Sequence, residues 1–374
     1  MEEEKKEKEK KTELKWAANK KSPRFQLTWQ LRPVKLPTSY VFPSSTNVFF
    51  IFIFPHEDLL LIEFCLGATH SHKSIGHDHI TGMAASTEGS LVQLRDGARL
   101  YVKILGDNDK SKQLVVVLHG GPGVADHREP EASFGFLSSR FRVLVYDARG
   151  SGRSDLKGPY THDRWAADID ELRIWAGSEP IILAAGSYGG CIALEYAIKY
   201  PNHVSALILR GIWASGPKGA MYRLKSVLTS PRVKVDPDRQ YRSWTGTLQN
   251  NNDLLASVTE ISPIYTTEKP KSSSTPTFLD PRKLILHYET HNFAMSYNQP
   301  RYDVRPKLGD ISAPTLILVG RHDQVAPVEF SEEIHGLMQN SQLTVFENSS
   351  HGPPTEEPET FQQRVNMFLD YYRL

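Results

Sequence analysis

Short segments that are almost wholly apolar recur along the chain beyond residue 90. They cover residues 114–118, 143–146, 181–184, 206–209, 315–319 and 343–346. Segments of this length that are rich in Val, Ile and Leu are typical of strands buried on both faces of a parallel sheet. Ahead of them, strand-like segments at 91–94 and 99–105 flank the turn dipeptide Asp96-Gly97, which predicts an antiparallel hairpin at the start of the domain.

Helical periodicity separates the predicted strands. Trp165, Ile169, Leu172 and Trp175 repeat at helical spacing, and Asp163 lies where an acid favours a helix N-terminus. Further helices are predicted at 190–200, 328–338 and 360–372. Strands and helices that alternate in this way predict an α/β fold, a doubly wound and mostly parallel sheet with helices on both faces. Ligands of such sheets bind beyond the carboxyl ends of the strands.

The alternation stops between residues 214 and 310. This stretch carries Asn and Ser clusters at 250–252 and 272–274 before the apolar segments resume at Thr315. We interpret 214–310 as a mainly helical lid inserted into an α/β core made of 83–213 and 311–374. A lid over the carboxyl edge of the sheet would exclude water and shape the choice of substrate.

The first 82 residues differ from the rest of the chain. Residues 1–21 are mostly Glu and Lys and have no apolar face, so a poorly ordered, charged, low-complexity extension is expected. The apolar segments at 48–54 and 59–66 are each far shorter than the roughly 20 residues that span a bilayer. An alternative is a misplaced start codon upstream of Met83. Four histidines on a Ser/Gly-containing segment lack the fixed geometry that selects a metal, so no metal site is predicted at His70, His72, His77 and His79.

Charge and cysteine content narrow the class of protein. The 374 residues carry 44 basic and 43 acidic side chains, so there is no global basic field and nucleic acid is not expected as a partner. Cys65 and Cys191 cannot form a disulfide framework and suit a reducing compartment. Without a convincing signal peptide or targeting tail, the cytoplasm is the default location and no stable membrane insertion is expected.

A nucleophile is predicted at Ser187. The sequence Ala-Gly-Ser-Tyr-Gly-Gly at 185–190 directly follows one predicted strand and directly precedes a helix. A serine on such a turn projects its Oγ from the sheet, and the turn is so tight that Ala185 and Gly189 must be small. The amide of Tyr188, at a helix N-terminus, points to where an oxyanion would form. The alternative is a glycine-rich turn with an incidental serine.

A second glycine-rich turn supplies the other oxyanion donor. His-Gly-Gly-Pro-Gly at 119–123 follows the strand at 114–118, and its glycines let backbone amides approach a ligand closely. We assign the donor to the amide of Gly121. His119 is interpreted as a structural hydrogen-bonding residue and not as the catalytic base.

Two polar residues after later strands complete a catalytic set. Asp323 follows the strand at 315–319, and His351 follows the strand at 343–346. The order Ser187, Asp323, His351 is the chain order of an α/β-hydrolase triad. His351 would act as general base and acid, and Asp323 would hold its tautomer. His322 and Asp303 are interpreted as surface or lid residues.

The motifs together resemble the α/β-hydrolase superfamily, and within it the proline iminopeptidases, a family of serine peptidases. The resemblance covers residues 90–374 and rests on the segments at 119–123, 147–154, 185–190 and 320–323. It implies Ser187, Asp323 and His351 as the triad and the Gly121 and Tyr188 amides as the oxyanion hole. It implies an aminopeptidase that needs no cofactor or metal and acts on a small molecule or short peptide.

Substrate-binding residues are expected in the lid. Where the family tends to carry Trp-Glu-Gly, whose carboxylate holds the free amino group of the substrate, this chain has Trp244-Thr-Gly. A second family acid corresponds to Glu289. The scaffold also hosts other reactions, so the alternatives are an esterase, thioesterase or lactone hydrolase acting on a small metabolite, and a receptor that kept a hydrolase pocket. Epoxide hydrolases and dehalogenases carry Asp at the position of Ser187 in the turn between strand and helix, so Ser187 argues against these two classes.

Overall fold

The computed structural model describes residues 88–178, 180–267 and 283–374. All of these residues belong to one compact unit of the chain. The predicted N-terminal extension, with its four histidines and its two apolar segments, lies outside the described residues. Cys65 lies outside them as well, whereas Cys191 is a buried free thiol.

Eight strands form a single sheet, and each of the eight predicted strands is present. The predicted segments differ from the observed ones by no more than two residues at an end, because some flanking residues also pair. In chain order the strands are β1 (Ser90–Gln93), β2 (Arg99–Leu105), β3 (Leu114–Leu118), β4 (Arg142–Tyr146), β5 (Ile181–Gly186), β6 (Val204–Arg210), β7 (Thr315–Gly320) and β8 (Ser341–Phe346). The spatial order is β1-β2-β4-β3-β5-β6-β7-β8. Pairs of β1 with β2 and of β2 with β4 are antiparallel, and the remaining pairs are parallel, which confirms the predicted fold class.

Helices cover the sheet and fill the interruption between β6 and β7. The α-helices are α1 (Arg128–Phe134), α2 (His162–Ala176), α3 (Tyr188–Lys199), α4 (Gly216–Thr229), α5 (Pro237–Thr245), α6 (Asn251–Ile261), α7 (Tyr288–Phe293), α8 (Gln299–Arg301), α9 (Val328–Leu337), α10 (Pro353–Glu356) and α11 (Pro358–Tyr371). Shorter 3₁₀ or π turns lie at Gly135–Ser139, Pro201–His203, Ser262–Tyr265, Ala294–Asn298 and Arg305–Asp310. Over the ranges that the structure describes, every helix is too short or too polar to cross a bilayer.

The two faces of the sheet bury separate cores. On β3, Leu114 and Val116 pack into one cluster with Trp165 of α2. Val115 and Val117 point the other way and pack with Phe361 of α11. Alternate side chains of one strand therefore serve opposite faces, which is why β3 has no polar position.

The helices between β6 and β7 contact loops at the carboxyl ends of the strands. The His287 amide donates to the Gly123 carbonyl at 2.8 Å, which ties the residues before α7 to the loop after β3. The His351 amide donates to the Tyr265 carbonyl at 3.2 Å, which ties the 3₁₀ turn Ser262–Tyr265 to the loop after β8. We propose on these contacts that 214–310 is a lid over the catalytic edge of the sheet.

Candidate active site

Ser187 occupies a strained turn between β5 and α3. Its φ of 55° and ψ of −128° are rare for a residue with a side chain and cost of order 1–3 kcal/mol. The Ser187 amide donates to the Arg210 carbonyl at 2.8 Å, which anchors the turn to the end of β6. A side chain at Gly189 would overlap the His119 carbonyl oxygen, which explains why that flank of the serine is a glycine.

His351 and Asp323 form a buried hydrogen-bonded pair. The distance from His351 Nδ1 to Asp323 Oδ2 is 2.7 Å. The other carboxylate oxygen of Asp323 accepts the amides of Val325 and Ala326, both at 2.8 Å, so the carboxylate is fixed in orientation. With Nδ1 donating to Asp323, Nε2 carries the lone pair. In the part of the chain that the structure describes, Nε2 is buried without a hydrogen-bond partner, so the Ser187 hydroxyl is not hydrogen-bonded to it and Nε2 is free to accept a proton.

Gly211 lies against the His–Asp pair, one residue after the residue that anchors the serine turn. It directly follows Arg210, whose carbonyl holds Ser187, and it has a φ of +58°. A Cβ on Gly211 would lie 2.8 Å from His351 Cε1 and 3.3 Å from Asp323 Oδ2. The nucleophile turn and the His–Asp pair are therefore positioned by two consecutive residues at the end of β6.

The loop after β3 lies against the serine. A Cβ on Gly120 would be 3.4 Å from Ser187 Cβ and 3.8 Å from Ser187 Oγ. Gly121 is the next residue and Tyr188 is the first residue of α3, so both assigned oxyanion amides belong to segments that meet at Ser187. His119 uses both ring nitrogens inside this region. Its Nδ1 lies 3.0 Å from the Gly120 carbonyl, and its Nε2 accepts the Ala148 amide at 2.9 Å, which fits the structural interpretation.

The side chain of Tyr188 has a packing role. It is 2% exposed, and its hydroxyl lies 2.9 Å from His162 Nε2. Its ring makes edge contacts with Trp165 and Trp213. Burial raises the pKa of the Tyr188 hydroxyl well above its ordinary value, so this hydroxyl stays neutral and contributes no charge to the site.

Arg210 is a buried residue at this edge that the sequence analysis missed. Its Nη1 donates to the His351 carbonyl at 2.6 Å, and its Nη2 pairs with Glu129 Oε1 at 2.6 Å. The signal that could have found it is an arginine ending an otherwise apolar strand, where a charge needs a buried partner. Glu129 lies in α1, a helix with too few apolar residues to show a periodicity.

One described cluster has the composition of a metal site. Ligand atoms of Asp126, His127 and Asp147 lie within 4.8 Å of one another. Asp147 already accepts hydrogen bonds from the His127 ring and amide and from the Arg153 amide. Asp126 is paired with Arg128. Because these carboxylates are already hydrogen-bonded by protein groups, we interpret the cluster as a brace for the loops after β3 and β4.

The two expected substrate-binding residues are placed differently. Trp244 is half-buried, packs in a cluster with Tyr265 and Val325, and has a buried Nε1 without a partner among the described residues. The Tyr265 ring in turn makes an edge contact with the His351 ring, with 5.3 Å between centroids. Glu289 is exposed at the start of α7, so the structure does not bury it beside the triad. His322 and Asp303 are exposed, as predicted.

Comparison with known proteins gives a consistent family. Residues 113–358 match the family profile described as alpha/beta hydrolase fold. The chain is 31% identical over 282 residues to the proline iminopeptidase PfmaB of Pestalotiopsis fici, covering 74% of this chain and 97% of that protein. It is 30% identical to the proline iminopeptidase of Saccharolobus solfataricus, covering 73% and 90%. The solved esterase of Exiguobacterium antarcticum superimposes with a TM-score of 0.59 at 25% identity, covering 76% of this chain and all of that one.

Proposed function

The chain belongs to the α/β-hydrolase fold family, and from that premise we propose that it is a serine hydrolase working through an acyl-enzyme on Ser187. The observation that carries the proposal is that the carbonyl of Arg210, the last residue of β6, accepts the amide of the strained serine while the next residue, Gly211, lies against the His351–Asp323 pair. A metal-free nucleophile needs such an adjacent base, itself oriented by a third group.

The proposed reaction has two similar halves. Ser187 Oγ attacks the substrate carbonyl carbon while His351 Nε2 takes the hydroxyl proton, and Asp323 stabilises the imidazolium. The amides of Gly121 and Tyr188 donate to the oxyanion. The bond to the leaving group then breaks, and the leaving group receives the proton from His351. A water molecule repeats the sequence on the acyl-enzyme and releases the acid.

Covalent labelling tests this proposal directly. We expect a fluorophosphonate probe to modify one residue, Ser187, and the Ser187→Ala variant to lose labelling and turnover while keeping its melting temperature. Ser139→Ala is the matched control, because Ser139 is exposed and hydrogen-bonds only its own turn among the described contacts. Labelling that persists in Ser187→Ala would refute the assignment.

One candidate substrate is a short peptide from which an N-terminal residue is released. Support comes from relatives that are named proline iminopeptidases and match most of their length. Trp244 also fits, since it packs against the same small apolar cluster as Tyr265, and the Tyr265 ring contacts the His351 ring. In this interpretation Trp244 would contact the N-terminal residue that the enzyme releases.

A specific observation supports a second candidate, an esterase, thioesterase or lactone hydrolase. An aminopeptidase needs a carboxylate for the free ammonium group of its substrate. The carboxylates of the described lid residues are exposed or already paired: Asp253 with Arg242, Glu260 with Arg239, and Asp303 with Arg305. Glu289 is exposed. An ester or lactone has no ammonium group and requires no such partner.

A further inference from the structure

Arg223 is a buried cation of the lid. It lies in α4 and is 5% exposed. Its guanidinium carbon is 4.2 Å from the ring centroid of Trp213 and 5.4 Å from that of Trp244. The guanidinium therefore lies against two indole rings, an arrangement that stabilises a cation without neutralising it.

Its hydrogen bonding is incomplete. Nη2 donates to Gln299 Oε1 at a long 3.4 Å, and Nη1 is buried with no partner within the described ranges. No carboxylate among the described residues forms an ion pair with Arg223. By contrast, buried Arg149 pairs with Asp168 at 2.7 Å, and buried Arg210 pairs with Glu129 at 2.6 Å. Burial lowers the pKa of the Arg223 guanidinium.

Several contacts place Arg223 next to the proposed triad. Trp213, which it overlies, comes two residues after Gly211, the residue that contacts His351 and Asp323. Trp244, its other indole partner, packs against the same small apolar cluster as Tyr265, whose ring contacts the His351 ring. Arg223 is therefore connected to the His351 and Asp323 loops through Trp213 and through this cluster.

A buried guanidinium with free donors and no carboxylate partner can bind an anion supplied by a ligand. Leaving a charge buried without a counter-ion is costly, and arginine presents a fork of donors that matches a carboxylate. The Nε1 of Trp244 is a second buried donor without a partner among the described residues. Two free donors of this kind suit a group that only accepts hydrogen bonds, and they oppose an ammonium group.

We propose that the substrate of the hydrolase carries a carboxylate group, which Arg223 binds between Trp213 and Trp244 with the help of Trp244 Nε1. This rests on the proposed function, and it specifies the substrate class as acyl compounds bearing a second, ionised carboxyl group. Selection would act on binding, because Arg223 holds the substrate and takes no part in proton transfer.

Binding of glutarate and of its neutral analogue glutaramide tests the proposal without catalysis. Titrations are done on full-length Ser187→Ala protein by calorimetry, with tryptophan fluorescence as a second readout since Trp213 and Trp244 flank the site. We expect glutarate to bind at least 10-fold more tightly than glutaramide. Arg223→Met in the same background should abolish that preference. Lys218→Met is the matched control, because Lys218 lies in the same helix and pairs with Glu333 at the surface.

A second arm uses the wild-type enzyme and two esters of similar shape, ethyl hydrogen glutarate and ethyl 5-methylhexanoate. We expect kcat/KM to favour the acid ester by at least 10-fold, through KM, and Arg223→Met to remove the difference. Equal binding of glutarate and glutaramide would overturn the proposal even if Arg223→Met does not fold, as would a preference that survives this substitution. If Ser187 is not labelled by fluorophosphonate but glutarate binding still depends on Arg223, the hydrolase proposal fails and the anion site stands.

Discussion

Arg210 donates a 2.6 Å hydrogen bond to the backbone carbonyl of His351, so a strand residue holds the loop that carries the proposed catalytic base. The same guanidinium pairs with Glu129 of α1, and all three residues are buried. The carbonyl of Arg210 accepts the Ser187 amide. One residue of β6 therefore connects the nucleophile turn, the histidine loop and helix α1.

Replacement of Arg210 should separate a structural role from a positioning role. Arg210→Met leaves Glu129 charged and buried, and we expect a loss of about 3–5 kcal/mol in the free energy of unfolding. The double variant Arg210→Met/Glu129→Gln should recover most of that stability, because no buried charge remains unpaired. We expect kcat of both variants to stay at least 10-fold below wild type, since the His351 carbonyl has lost its donor. Urea unfolding and ester turnover measure the two effects, and full activity of the double variant would contradict the positioning role.

Asp323→Asn should reduce turnover while the protein stays folded. The carboxamide introduced by this substitution has one acceptor oxygen, so it cannot both accept the two loop amides and accept from His351 Nδ1. The imidazole is then no longer held in the tautomer with its proton on Nδ1, and the imidazolium loses the negative charge that stabilises it. We expect kcat to fall by about 10⁴-fold, the loss typical of this change in a Ser-His-Asp triad. The control is Asp303→Asn, because Asp303 is an exposed carboxylate paired with Arg305. A decrease below 10-fold for Asp323→Asn would remove it from the triad.

Gly211→Ala should displace the histidine. The new methyl group would lie 2.8 Å from His351 Cε1, and the φ of +58° disfavours any residue with a Cβ. We expect a loss of about 1–3 kcal/mol in stability and at least a 100-fold loss in kcat. Gly336→Ala serves as the control, because a Cβ there meets nothing within 4 Å and alanine is the better helix former. Unchanged turnover in Gly211→Ala would show that the position of His351 does not depend on the absence of a side chain at residue 211.

Stability should fall in mild acid because of His291. Burial lowers the pKa of His291 to about 4, so below the ordinary histidine value of about 6.5 the unfolded chain takes up a proton that the folded chain does not. Its stabilising contribution is complete above pH 6.5 and is lost as the pH falls towards 4, by at most about 1.4 kcal/mol per pH unit. His291→Gln should flatten that slope, measured by urea unfolding from pH 7 to 4. The exposed His322→Gln should leave it unchanged, and equal slopes in wild type and His291→Gln would exclude His291 as the cause.

Two matched esters should decide whether a free amine is recognised. Proline methyl ester and methyl cyclopentanecarboxylate differ in the ring ammonium alone. Because Glu289 is exposed and the other described lid carboxylates are exposed or paired, we expect kcat/KM of the two esters to agree within about 3-fold and Glu289→Gln to change neither. A 100-fold preference for the prolyl ester that Glu289→Gln abolishes would restore the aminopeptidase interpretation.

Much of the fold and of the candidate site could be predicted from local sequence. The eight strands were visible because buried parallel strands are continuous apolar segments, as in β3. The turn at Ser187 was visible because its backbone geometry demands small neighbours in the next few positions. Helix α1 was missed because it buries Glu129, Pro130, Ser133 and Phe134, a set with too few apolar side chains to produce a periodic pattern. Glu289 was assigned to substrate by likeness of a motif, and its exposure depends on how α7 packs.

The sequence alone determined the class of fold, because buried parallel strands are continuous apolar segments. It also predicts the order of the proposed catalytic residues and a lid insertion, because these predictions need only the residue types that follow each predicted strand. Only the tertiary structure decided which charges have partners. Arg210 meets Glu129 and His351 across distances of 81 and 141 residues in the chain. Arg223 meets two tryptophans and no described carboxylate. Whether a buried charge is neutralised depends on which distant segments pack together. That packing is decided by the tertiary structure and does not follow from the residues next to the charge along the chain.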